Sequence, residues 1–133
     1  MLGTIGFLLL VAHYAADYLF QGDRMATLKS GPGWQGWRAN LLHVATHVAV
    51  TAVLLGTARA ALDLDIAPWP AALAIAWIGF SHGLIDRRWP VAWWMRNTGS
   101  AAFLESGAGA PLVDQALHIT VGLLPAAFAL AAL

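Results

Sequence analysis

Cysteine is absent from this 133-residue chain, so disulfides, thiolate metal ligands and cysteine nucleophiles are excluded, and any bound metal must be held by nitrogen and oxygen. Charge is scarce as well. Only 11% of residues are charged, less than half of the roughly 25% usual in soluble domains. Seven Lys and Arg balance seven Asp and Glu, so there is no excess charge to attract nucleic acid. No low-complexity tract occurs. The glycines have no phosphate-loop context, and no Gly-x-Ser-x-Gly elbow marks a serine hydrolase.

What the chain has instead is apolar surface, at 59% hydrophobic residues. One soluble core of this size would leave much of that surface exposed in sticky patches, which points to lipid as the solvent. Four apolar stretches approach the ~20 residues of a spanning helix: residues 2–20, 41–58, 69–86 and 111–133. The expected fold is all-α, a single integral-membrane four-helix bundle. The first stretch is expected to be retained rather than cleaved as a signal peptide, because it lacks a basic n-region and carries His13 and Asp17.

Loop charge sets the expected orientation. The segment 21–40 contains Arg24, Lys29 and Arg38, and 87–110 contains Arg87, Arg88 and Arg96, whereas 59–68 sets Arg59 against Asp63 and Asp65. The positive-inside rule puts the two long loops in the cytoplasm and both termini outside. Segment 21–40 reads as a loop with a short interfacial helix around Arg24 to Lys29. Trp34, Trp89, Trp93 and Trp94 are expected as a cytoplasmic aromatic belt, with Trp69 near the opposite interface.

The five histidines fall into four short pairs, one per expected helix: His13-x3-Asp17, His43-x3-His47, His82-x3-Asp86 and Asp114-x3-His118. Residues four apart share a helix face, so each pair can present two ligands in one direction. The first and third pairs close their helices and the second and fourth open theirs. Up-and-down topology therefore gathers all eight side chains near the cytoplasmic face, within roughly 15 Å of it. Two layers about 6 Å apart are expected, with His13, His47, His82 and His118 deeper and Asp17, His43, Asp86 and Asp114 nearer the loops.

Such a set suits one or two divalent ions, zinc first, with iron or manganese as alternatives. Buried carboxylates at mid-helix cost ~2.5–3.5 kcal/mol each unless something compensates them, so packing alone does not account for the pattern. The competing reading is a metal-free His-Asp hydrogen-bond network. One haem would not explain ligand pairs on every helix. Ser81, Thr46, Gln21 and Gln115 flank the cluster and are suited to orient its members. Lys29, Arg24, Arg87, Arg88 and Arg96 are expected just outside it, as topology charges or as ligands of a phosphate-bearing lipid headgroup.

The stretch His13-Tyr-Ala-Ala-Asp17-Tyr-Leu-Phe-Gln21, followed by Asp23-Arg-Met25-Ala and Lys29, resembles domain-of-unknown-function family 3307. His43 and His47, His82-Gly-Leu-Ile-Asp86 and Asp114-Gln115-Ala-Leu-His118 continue the resemblance along nearly the whole chain. It implies a small bacterial or phage polytopic membrane protein, and so an inner (plasma) membrane location, but confers no activity.

The functional expectation is a metal-dependent hydrolase acting on a lipid-linked or membrane-borne substrate. His13, Asp17, His47, His82, Asp86, Asp114 and His118 would hold the metal, Asp114 would act as general base, and His43 would complete the ligand set or shuttle protons. The alternatives are a non-catalytic metal-binding or ion-translocating protein, or a structural membrane adaptor. The apolar outer halves of the helices count against transport. Gly/Ala-rich helix faces leave homo-oligomerisation open.

Overall fold

The computed structural model describes residues 1–132. It is all-helical, with no strand among the described residues. Helix α1 (Leu2–Tyr14) continues into a π-helical segment, Ala15–Leu19, where the Phe20 N–H donates five residues back to the Ala15 carbonyl at 3.2 Å. After α2 (Asp23–Leu28) comes α3 (Gly33–Leu62), which starts earlier and ends later than the stretch 41–58 read from the sequence. Extended Pro32 sets its start, and Asp63, in the left-handed region at φ 49°, stops it. At 30 residues α3 is about 45 Å long, more than a bilayer's hydrocarbon core requires.

Helix α4 (Pro68–Ile85) takes two prolines in its first turn, where the missing N–H groups cost nothing. Arg88, at φ 61°, breaks the chain into α5 (Trp89–Asn97) and the short α6 (Ala101–Glu105). The last rod stacks α7 (Gly109–Leu117), a second π-helical segment (His118–Leu123) and α8 (Leu124–Ala132) end to end. The fourth stretch was read as far as Leu133, which lies outside the described residues.

Pro125 explains part of the second π segment. It has no N–H to offer the Val121 carbonyl four residues earlier, and the Trp77 indole N–H of α4 donates to that carbonyl at 2.9 Å instead.

Three rods, Leu2–Leu19, Gly33–Leu62 and Gly109–Ala132, are long and apolar enough to cross a membrane. Helix α4 matches the first of these in length, but Pro68-Trp69-Pro70 at its start and Ser81-His82 near its end dilute its apolar character. It packs between α3 and the last rod, and α1 packs against the same two neighbours. Large apolar side chains cover the outside of these rods, among them Phe7, Val53, Phe80 and Phe128, each more than half exposed. Water does not tolerate such a surface on an ordinary monomer.

The interior divides into two halves. At one end, Ile5, Leu9, Leu55, Ile66, Ala74, Ile78, Leu123, Ala126, Ala127 and Leu130 form an apolar core. At the other end the buried residues are polar: His13, Asp17, Asn40, His43, His47, Ser81, His82, Asp86 and His118. Val91 and Met95 of α5 pack with Ile85 over this second end.

Two glycines allow α3 and α4 to approach. A Cβ on Gly83 would lie 2.9 Å from Val44 Cγ2 and 3.2 Å from Asn40 Oδ1, and one on Gly79 would lie 3.0 Å from Val48 Cγ2. Gly83→Val is therefore expected to wedge the helices apart and cost about 1–3 kcal/mol, read as a lower thermal midpoint in detergent. An unchanged midpoint would show that the contact yields freely.

Candidate metal centre

Asp17 is the hub. It sits in the π-helical segment after α1, and such wide turns recur at functional sites because they re-aim the side chains around them. Its Oδ1 lies 3.1 Å from Nε2 of His43, 3.1 Å from Nε2 of His47 and 3.8 Å from Nε2 of His82. The His43 and His82 Nε2 atoms are themselves 3.1 Å apart. Ligand atoms of these four residues all lie within 4.8 Å of one another, and all four residues are buried. Tetrahedral bonds of ~2.0–2.1 Å imply ligand-to-ligand edges of roughly 3.3 Å, so the spacing suits a small divalent ion.

A second group shares His82. Asp86 Oδ2 is 3.1 Å from His82 Nε2, and His118 completes a trio whose ligand atoms also fall within 4.8 Å. Asp86 Oδ2 and both ring nitrogens of His118 are buried without a hydrogen-bond partner among the described residues. Orphaned buried polar atoms are costly, and a cation at this position would satisfy Asp86 Oδ2 and one ring nitrogen of His118.

His43 Nε2 is oversubscribed. Lys29 Nζ at 3.0 Å, Asp17 Oδ1 at 3.1 Å, His82 Nε2 at 3.1 Å and Asp86 Oδ2 at 3.3 Å all crowd it. A ring nitrogen has either one proton or one lone pair and cannot serve all four. Protons must be distributed among these rings, or a cation must lie between them.

His13 and Asp114 stand beside the two groups rather than in them. Gln115 donates to Asp17 Oδ2 at 3.3 Å, and its Oε1 lies 3.1 Å from His13 Nε2, which requires the proton on that nitrogen. His13 Nε2 is also 3.3 Å from Asp17 Oδ2, so His13 and Gln115 together steer the hub carboxylate. Asp114 is 20% exposed, with Oδ2 at 3.3 Å from His118 Nδ1, and thus sits on the rim. The two layers expected from the sequence do not survive as separate tiers. Asp17 and His43, assigned nearer the loops, meet His47 and His82 directly, because side chains reaching along the helix axes close a gap of ~6 Å.

Sequence reasoning placed Lys29 outside this cluster. The structure brings it inside: its Nζ is 2.9 Å from Asp86 Oδ1, and its side chain is 11% exposed. Arg87 fixes the loop that carries it, donating to the Lys29 carbonyl and the Gly31 carbonyl at 2.7 Å each while stacking on Trp37. Gly36 lets that loop lie against α3, since a Cβ there would collide with the Gly31 carbonyl. Asn40 Nδ2 donates to the Gly83 carbonyl at 3.0 Å and ties α3 to α4. Its spacing was a legible signal, because Asn40, His43, His47 and Thr51 form one buried polar stripe along α3. No local pattern announces that Lys29 folds inward. Ser81 bonds only within α4, Thr46 bonds its own helix, and Gln21 donates to the Asp17 carbonyl.

Comparison with known proteins matches residues 5–131, nearly the whole chain, to the family described as "Protein of unknown function (DUF3307)". The chain belongs to the DUF3307 family. No curated protein and no solved structure matches it. In this DUF3307 chain the matched span contains every residue of the cluster, from His13 to His118. The chemistry has to be argued from the site.

Proposed function

We propose that this protein is a membrane-embedded metalloprotein and that its metal serves hydrolysis of a lipid-linked or membrane-borne substrate. The observation that carries the reading is the buried quartet Asp17, His43, His47 and His82, with the trio His82, Asp86 and His118 beside it. Their donors suit zinc first, with iron or manganese also compatible, and the two groups suit one ion or two, with His82 Nε2, which has one lone pair, serving one of them. A bound divalent ion would supply an acidified water and polarise the scissile phosphoryl or acyl group.

Membrane placement is supported by the exposed apolar belt and by the charge distribution. In this reading all four long rods cross as a bundle in a bacterial-type plasma membrane. Six of the seven basic residues, Arg24, Lys29, Arg38, Arg87, Arg88 and Arg96, belong to the connections at the cluster end, and the positive-inside rule thereby supports a cluster near the cytoplasmic face with both termini outside. The exposed Trp89, Trp93 and Trp94 on α5 suit the same interface.

Asp114 is the best-placed general base. It lies outside both ligand groups, is partly open to solvent and touches His118. Asp114→Asn is expected to reduce turnover on phosphoester and acyl-ester lipids in mixed micelles by about 10²–10⁴-fold with metal content unchanged. Loss of metal together with activity would make Asp114 a ligand instead, and full activity would remove it from the chemistry.

One observation favours a second reading. Lys29 already contributes a cation to Asp86, as a metal-free structural clamp for an adaptor would require. Elemental analysis of protein purified without added metal separates the two readings.

A further inference from the structure

A second feature, a mainly apolar groove that carries two arginines, lies on the same end of the molecule, outside the cluster. Between α2 and the first turns of α3 runs a groove of about 550 Å³, lined by Arg24, Met25, Leu28, Trp34, Gln35, Arg38, Ala39 and Leu42, with Gly22 at its edge. Among the described residues, neither Arg24 nor Arg38 forms an ion pair or a side-chain hydrogen bond. Asp23, the nearest carboxylate in sequence, does not line the groove. The other basic residue of the α2–α3 region, Lys29, is committed to Asp86 and His43.

We infer that this groove binds the phosphate headgroup of an anionic phospholipid. Two uncommitted guanidinium groups on one concavity suit a phosphate, which arginine grips through parallel N–H donors. The remaining walls match the rest of a lipid. Met25, Leu28, Ala39 and Leu42 offer an apolar path for an acyl chain, and Trp34, 73% exposed, supplies an amphipathic ring of the type that settles at headgroup level. Free phosphate would use the arginines but not these walls. Leu28 immediately precedes Lys29 and Ala39 precedes Asn40, so an occupied groove would also brace the arm that reaches the cluster.

The inference rests on the membrane placement proposed above. It is tested by native mass spectrometry of the full chain from detergent supplied with phosphatidylglycerol, phosphatidylcholine or inorganic phosphate. The wild type is expected to retain one phosphatidylglycerol at concentrations where phosphatidylcholine and phosphate leave no adduct. Arg24→Gln with Arg38→Gln should weaken that retention about tenfold or more, whereas Arg59→Gln with Arg96→Gln, which removes the same charge elsewhere, should not. Met25→Trp, which fills the groove and keeps both arginines, should also lose the lipid and guards against misfolding of the arginine variant. Equal retention of both lipids, or equal loss in the two arginine pairs, would overturn the headgroup site. A second copy of the chain in the groove would appear as a dimer that Met25→Trp dissociates, and it would overturn the lipid assignment as well. Failure of the wild type to remain in carbonate-washed membranes would instead defeat the membrane reading.

Discussion

Replacing His82 with alanine is expected to reduce metal content from at least one ion per chain to below about a tenth of that. His82 is the one residue common to both ligand groups. Its Nε2 lies 3.1 Å from Asp86 Oδ2, 3.1 Å from His43 Nε2 and 3.8 Å from Asp17 Oδ1. The imidazoles nearest to it, His47 and His118 with ring centroids at 3.5 and 4.1 Å, are already members of the two groups. His13→Ala is the informative contrast. His13 orients Asp17 from beside the groups, so its loss should weaken metal affinity by about 10–100-fold and leave the site loadable at high metal. Elemental analysis and competitive chelator titration of both variants read the difference. If the native protein, folded and purified without chelator, contains no metal, the hydrogen-bonded clamp becomes the better account. If His13→Ala and His82→Ala behave alike, the division into ligands and positioning residues is wrong.

That prediction needs the structure, although much of the cluster was already visible in the sequence. Four pairs at a spacing of four residues, at alternating ends of apolar stretches, were enough to bring the five histidines together. Helical period and up-and-down topology leave few other arrangements. Two kinds of detail had no sequence signal. The π-helical segments at Ala15–Leu19 and His118–Leu123 turn Asp17 and His118 in a way that an ideal helix does not, and no residue type marks a π segment. The second kind was the fate of the loop. Lys29 reads as one more positive-inside residue because its inward course depends on Arg87, Gly36 and Trp37, which are remote in sequence or silent in pattern. Gln115 was legible as a neighbour of Asp114, but its bridge from His13 to Asp17 is a tertiary fact.

Lys29→Met is the substitution expected to separate stability from metal binding most sharply. Among the described residues Lys29 is the only Lys or Arg that pairs with a cluster carboxylate, at 2.9 Å from Asp86. Removing one partner of a buried ion pair leaves the other uncompensated, at a cost of about 3–5 kcal/mol, so the metal-free variant should melt well below the wild type. With metal the sign reverses in part. The Lys29 ammonium and a metal ion compete for the same lone pair on His43 Nε2 and for the same negative charge on Asp86. The methionine variant should therefore bind divalent metal more tightly than the wild type, and saturating metal should recover most of the lost stability through linkage. Thermal melts of both proteins with and without zinc test this directly, since the competition requires a larger zinc-induced rise in the variant. A variant destabilised equally in both conditions would mean that Lys29 only pins the α2–α3 loop and does not share its ligands with a metal. A variant that neither loses stability nor gains affinity would mean that the 2.9 Å contact carries no energetic weight, and the two carboxylates would then need another cation to explain their burial.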